Sequence, residues 1–183
     1  MNVAMVKIID SDAKEFIRLF NDGLEIRLKT PRTAKRFENA LAFTLAINKG
    51  EVNAVEMMLV GGIRIFHPNA YVAIKRSRDI LATSGIDNGV EIDPDERVQR
   101  FFSAAVKGLT TAEASAPHRL LLALFPRIVG RAKFEPDELA GWAKARRLTS
   151  AEYFDRYFSY SLPSKDQHED NQEFVARIRR LEA

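Results

Sequence analysis

Arg32, Lys35, Arg36 and Asn39 are the residues of this chain whose types and spacing best suit chemistry. At 3.6 residues per turn they put three cations and an amide on one side of a helix, while Ala34, Phe37, Leu41, Leu45 and Asn48 fall largely on the other. Such a side can meet an anion. A guanidinium offers phosphate or carboxylate oxygens a planar fork of donors and keeps its charge at physiological pH. The helix is expected on local grounds: Thr30 can accept a hydrogen bond from the first free backbone donors, and Pro31 suits the first helical position, where no donor is needed. A plain solvated face is the alternative reading.

The second group is aromatic. Tyr153, Phe154, Tyr157, Phe158 and Tyr160 surround Arg156. Aromatic rings and arginine can stack on single-stranded bases. Recurrence at helical spacing favours core packing, with the phenolic tips of Tyr153, Tyr157 and Tyr160, and Arg156 beside them, as interface candidates. Other basic clusters (Lys75, Arg76 and Arg78; Arg127, Arg131 and Lys133; Lys144, Arg146 and Arg147; Arg177, Arg179 and Arg180) read as solvated faces, and would track phosphates only if the fold made them converge.

No catalytic residue is assigned. Glu56 with His67, or Asp155 with His168, are pairs without a nucleophile motif. His67, His118 and His168 are isolated from one another, so no metal ligands are assigned either. The absence of cysteine excludes a disulfide scaffold and thiolate metal sites, and is compatible with a cytoplasmic setting. The apolar start from Val3 to Ile9 is too short to span a bilayer and contains Lys7, so no membrane segment is expected.

The elements that must position these residues read as an all-α, irregular multi-helix array, with a short strand or a helical lead-in at the amino end. Helix punctuation recurs, and long alternating stretches flanked by hairpin turns do not. Ser11 or Asp12 starts a helix through Phe20, closed by Asn21, Asp22 and Gly23. The Thr30 helix ends near Asn48. Asn53 with Glu56 has the reciprocal capping pattern for the next, and Pro68 opens one that fades near Ala82. Residues 83–93 have the composition of a flexible connection, between an amino-terminal subdomain at 1–82 and a carboxy-terminal one at 94–183 packed on it. Asp93 and Pro94, Thr110 or Ser115, Pro136, and Thr149 with Glu152 open further helices, and 170–181 reads as a terminal one.

Composition fits this array. With 46% hydrophobic and 29% charged residues the chain is of globular type rather than disordered. Its formal charge of +3 is too modest to demand nucleic acid.

The stretch at 30–41, Thr-Pro-Arg-x-x-Lys-Arg-Phe-x-Asn-x-Leu, resembles the signature that follows the nucleotide-binding core in KAP-family P-loop NTPases, a group named partly for a phage-exclusion ATPase. The residues at 52–56 and 64–71, Leu124-Phe125-Pro126, and the aromatic run at 153–163 look like further family landmarks in the same order. Together they extend from about Phe16 to Leu181. The resemblance implies a lid-like helical region carboxy-terminal to an NTPase core, with ATP and Mg as cofactors of the parent protein and none in this chain. It implies that Arg32, Lys35, Arg36 and Asn39 sense bound nucleotide, Arg32 being comparable to a second-sensor arginine. The implied partner is the missing core, in a parent that is cytoplasmic or membrane-associated. The chain departs from the family in lacking G-x-x-x-x-G-K-[ST], and Gly61-Gly62 sits in an apolar helical pattern where close packing explains it better. No activity of its own is therefore expected. Binding to a protein partner or to a second copy through the aromatic helix is the alternative function.

Overall fold

In the computed structural model, residues 10–48, 50–83, 94–129 and 134–159 are described. Eight α-helices occur among them: α1 (Asp10–Gly23), α2 (Pro31–Ile47), α3 (Ala54–Phe66), α4 (Pro68–Arg76), α5 (Arg78–Leu81), α6 (Pro94–Ala105), α7 (Thr111–Leu124) and α8 (Pro136–Lys144). Three 3-10 segments, Glu25–Arg27, Pro126–Val129 and Phe154–Phe158, complete the order. The only β-type pairing among the described residues is an isolated bridge between Thr83 and Ser150, so the chain is all-α there. The strand or helical lead-in expected at 3–9, the helix at 170–181 and the connection beyond Thr83 lie outside the described residues, as does Asp93 as a cap.

α3 is the centre of the array. Its residues from Val55 to Ile63 are all buried, Glu56 the one charged residue among them, so this stretch is enclosed on every side. Two glycines let neighbours approach. A β-carbon at Gly62 would stand 2.4 Å from a methyl of Leu24, and one at Gly61 would stand 3.2 Å from a methyl of Leu41. Close packing therefore accounts for this pair, as its sequence context suggested. Gly23 does the same for α1 and α7, where a β-carbon would come within 2.3 Å of Leu120 Cγ. α1 runs through Asn21, Asp22 and Gly23 instead of being closed by them.

Several helix starts follow their local signals. Thr33 N donates to Thr30 Oγ1 at 3.2 Å, with Pro31 in the first turn of α2. At α7 the choice between Thr110 and Ser115 falls to Thr110, which forms a reciprocal box with Glu113. Three expectations need correction. Asn53 caps α3 by accepting from Glu56 N at 3.0 Å, but the Glu56 carboxylate does not return to Asn53; its oxygens are taken by Arg147, Leu148 and Tyr157 instead. Thr149 does not cap the aromatic helix, being buried with its hydroxyl directed to Leu81 O at 3.4 Å; that segment is a 3-10 helix preceded by Tyr153. The helix opened by Pro68 breaks at Ser77 before resuming as α5, a place where serine's own low helix preference offers little resistance.

Candidate functional site: the outer face of α2

Phe37 and Thr44 of α2 are buried against the core and Asn48 closes the helix inside it, its amide donating to Thr44 O at 2.9 Å. The Phe37 ring lies between Phe20 at 6.0 Å and Phe66 at 5.5 Å, centroid to centroid. These contacts fix the rotation of the helix. Arg32, Lys35, Arg36 and Asn39 consequently all lie exposed, on the side the spacing assigned to them. Ala34 is exposed as well, near the open amino end, so the buried stripe begins in effect at Phe37.

The four are not equivalent. Lys35 is engaged with Glu38, its Nζ 3.0 Å from the carboxylate, in a pair so exposed that it contributes about 0–1 kcal/mol. Arg32 and Arg36 have no ion pair or hydrogen bond among the described residues. They are one helical turn apart, and Asn39 continues the line. The next residue along it is Phe43, 61% exposed, which the sequence reading passed over. Its signal was available: an aromatic at i, i+4, i+7, i+11 from Arg32 belongs to the polar side.

The aromatic candidates divide differently. Tyr157 is only 1% exposed, with Phe154 and Phe158 buried beside it. Its hydroxyl accepts from Asn53 N at 3.1 Å and has Arg146 O at 2.8 Å and Glu56 Oε2 at 3.2 Å as acceptors for its single proton. Burial pushes the phenol well above its ordinary value, and the adjacent Glu56 charge adds to this. Glu56 in turn accepts from Arg147 Nε at 2.6 Å and from the Leu148 backbone. The result is a buried polar knot that ties the start of α3 to the turn after α8. Arg146, with φ of 53°, adopts the left-handed conformation that aims its carbonyl into the knot. Tyr153 and Arg156 stay nearer the surface: the Arg156 guanidinium lies 5.0 Å from the Tyr153 ring and pairs with Glu51 at 2.8 Å. Tyr160 lies outside the described residues.

Glu56 and His67 do not pair, and His168, the proposed partner of Asp155, lies outside the described residues. Glu56 belongs to the knot, while His67 Nε2 lies 3.3 Å from Gly23 O, with Nδ1 buried and unpartnered. Burial lowers the His67 pKa, and the nearby Arg27 charge acts in the same direction against the carbonyl contact. Asp155 pairs with Arg78 at 3.2 Å. Of the basic clusters, Arg127 bonds to Ala82 O and Arg147 enters the knot, while Arg131, Lys133, Arg177, Arg179 and Arg180 lie outside the described residues. No group of three His, Asp or Glu side chains suited to a metal ion occurs among the described residues. No helix among them is long and apolar enough to cross a membrane.

No protein family, curated protein or solved structure matches the chain.

Proposed function

We propose that the chain is a helical lid or regulatory segment of a KAP-like P-loop ATPase, contacting nucleotide held by a separate core through the outer face of α2. The observation that carries this reading is the pair Arg32 and Arg36: two exposed guanidinium groups without partners among the described residues, on a helix whose start is capped and whose opposite side is locked into the core. A pre-oriented cation costs little further ordering when an anion arrives. Arg32, in the first turn, directs donors to phosphate oxygens as the lid closes, and Arg36 and Lys35 pair with oxygens of nucleotide or core. Asn39 orients the same face. The residues present suit an anionic oxygen surface. They offer no backbone phosphate cradle, so ATP and Mg belong to the core and hydrolysis takes place there.

The test uses the lid joined to its nucleotide-binding core. Arg32→Ala should lower ATP turnover at least tenfold with an unchanged melting temperature, whereas Phe37→Ala should destabilise the fold by about 3–5 kcal/mol through a core cavity. Unchanged turnover with Arg32→Ala defeats the sensor reading.

Phe43 supports a second reading, in which the same stripe binds another protein. An exposed phenylalanine beside two arginines has the composition of an interface centre. The aromatic 3-10 segment is less suited to that task, because its rings face inward. Retained turnover in Arg32→Ala together with loss of a partner in Phe43→Ala would select this alternative.

A further inference from the structure

A second surface lies on other helices. Between α4 and α6, with α5 at one end, an open groove of about 440 Å³ is floored by Ala73, Ile80 and Phe101, with Val72 and Ala104 exposed along it. Asn69 Nδ2 donates to Lys107 O at 2.8 Å and Asp79 pairs with Arg97, so the two walls run in opposite directions. Small alanine side chains on both leave room between them.

Four cations border the groove, Arg76, Arg97, Arg100 and Lys107, against a single carboxylate, Asp79. Arg97 is engaged with Asp79, and Arg100 with Glu96 one turn back on its own helix. Arg76 and Lys107 have no ion pair among the described residues. Lys107 stands at the Asn69 end, and Arg76 lies seven residues along α4 from Asn69, about 10 Å at 1.5 Å per residue. Val72, 44% exposed, falls between them on that wall.

This charge pattern specifies an occupant with an anionic group at each end and apolar side chains in the middle. A nucleic acid fits it poorly, because its charges follow one another far more closely than two in 10 Å, and Asp79 and Glu96 would stand against them. The one aromatic ring in the lining, Phe101, is buried, so no ring is presented to a base. A helix fits well. Its positions i and i+7 share a side at a separation of about 10 Å, with i+3 and i+4 between them.

We propose that the α4–α6 groove docks an acidic amphipathic helix of another protein, with carboxylates seven residues apart meeting Lys107 and Arg76, and with apolar residues between those carboxylates covering Val72, Ala73 and Ala104. None of these residues belongs to α2, so docking here and nucleotide contact there are separable. The attraction at the two ends is solvent-exposed and therefore weakens with salt.

Fluorescence anisotropy of the full chain with a labelled synthetic helical peptide tests this, the peptide carrying glutamates at i and i+7 and leucines at i+3 and i+4. It should bind with a micromolar Kd. Replacing either the glutamates by glutamine or the leucines by serine should weaken binding at least tenfold, as should the double reversal Arg76→Glu with Lys107→Glu. Both residues are exposed, and a peptide with lysines in place of the glutamates should regain binding to the reversed protein, which a misfolded variant could not supply. Arg32→Ala should leave the Kd unchanged. A Kd weaker than about 1 mM, equal binding of the glutamine peptide, indifference to the double reversal, failure of the lysine peptide to rescue, or tighter binding of a single-stranded oligonucleotide at the same residues would each overturn the proposal.

Discussion

At the amino end of α3 a glutamate, an arginine and a tyrosine satisfy one another inside the protein, whereas on α2 two arginines point outward with no partner among the described residues. By residue type the two regions look equally able to do chemistry. Their surroundings separate them. Glu56 is almost wholly buried and accepts from three residues in two distant segments, so its charge is committed to holding α3, the turn after α8 and the aromatic 3-10 segment in one arrangement. Arg32 and Arg36 are held only through the backbone beneath them, and their charge is left for something else. The lesson is that reactivity in a set of polar side chains is read from which bonds are still unmade.

The sharpest way to break that contrast is to cut the knot. Glu56→Ala should destabilise the protein by about 3–5 kcal/mol, because it strands Arg147, the Leu148 amide and the Tyr157 hydroxyl together; chemical denaturation followed by circular dichroism measures this, and a cost below 1 kcal/mol would show the knot to be incidental.

Tyr157→Phe should cost less, about 1–2 kcal/mol, since Asn53 N keeps its 3.1 Å bond to Arg146 O when the phenol is gone. The variant has a second signature. The phenol is raised in the folded state, so the unfolded chain loses that proton first and the native protein should lose stability as pH rises past 10. That alkaline limb should flatten in Tyr157→Phe.

His67 gives the opposite limb. Its imidazole is held below 6.5, the unfolded chain therefore takes up the proton first, and stability present above pH 6.5 should be lost as pH falls toward the folded value. Melting temperatures at pH 7.5 and 5.0 should differ less in His67→Asn than in the native protein. At the small end, Arg32→Ala and Arg36→Ala should each change stability by no more than about 0.5 kcal/mol, as expected for exposed groups without internal contacts. A larger loss by thermal melting would place those arginines among the structural residues.

Where the sequence could be read, the deciding interaction was short in range. Thr30 with Pro31, and Thr110 with Glu113, carry their partners within three residues, and the buried stripe of α2 from Phe37 to Asn48 obeys simple helical spacing. It failed where a distant group outcompeted a local one. Asn53 and Glu56 have the residues for a reciprocal cap, but Arg147, Leu148 and Tyr157 arrive from 91 to 101 positions away and take the carboxylate. Thr149 likewise leaves Glu152 for a carbonyl 68 residues distant. Phe43 was legible by its angle on the helix but was obscured by its type, since an aromatic is ordinarily counted with the core.

The meeting of Leu24 with Gly62 limits what either position can become. Because a β-carbon at 62 would fall 2.4 Å from a Leu24 methyl, the two sites behave as a single volume divided between two places in the sequence. Bulk can be exchanged across that contact, with a smaller residue at 24 admitting a larger one at 62, but it cannot be added to both. Leu24 also follows Gly23, whose missing side chain makes room for Leu120, so adjacent positions play opposite parts, one filling a hollow and the other providing one. Shifting the chain by a single residue there would exchange those parts and place a leucine where no side chain fits.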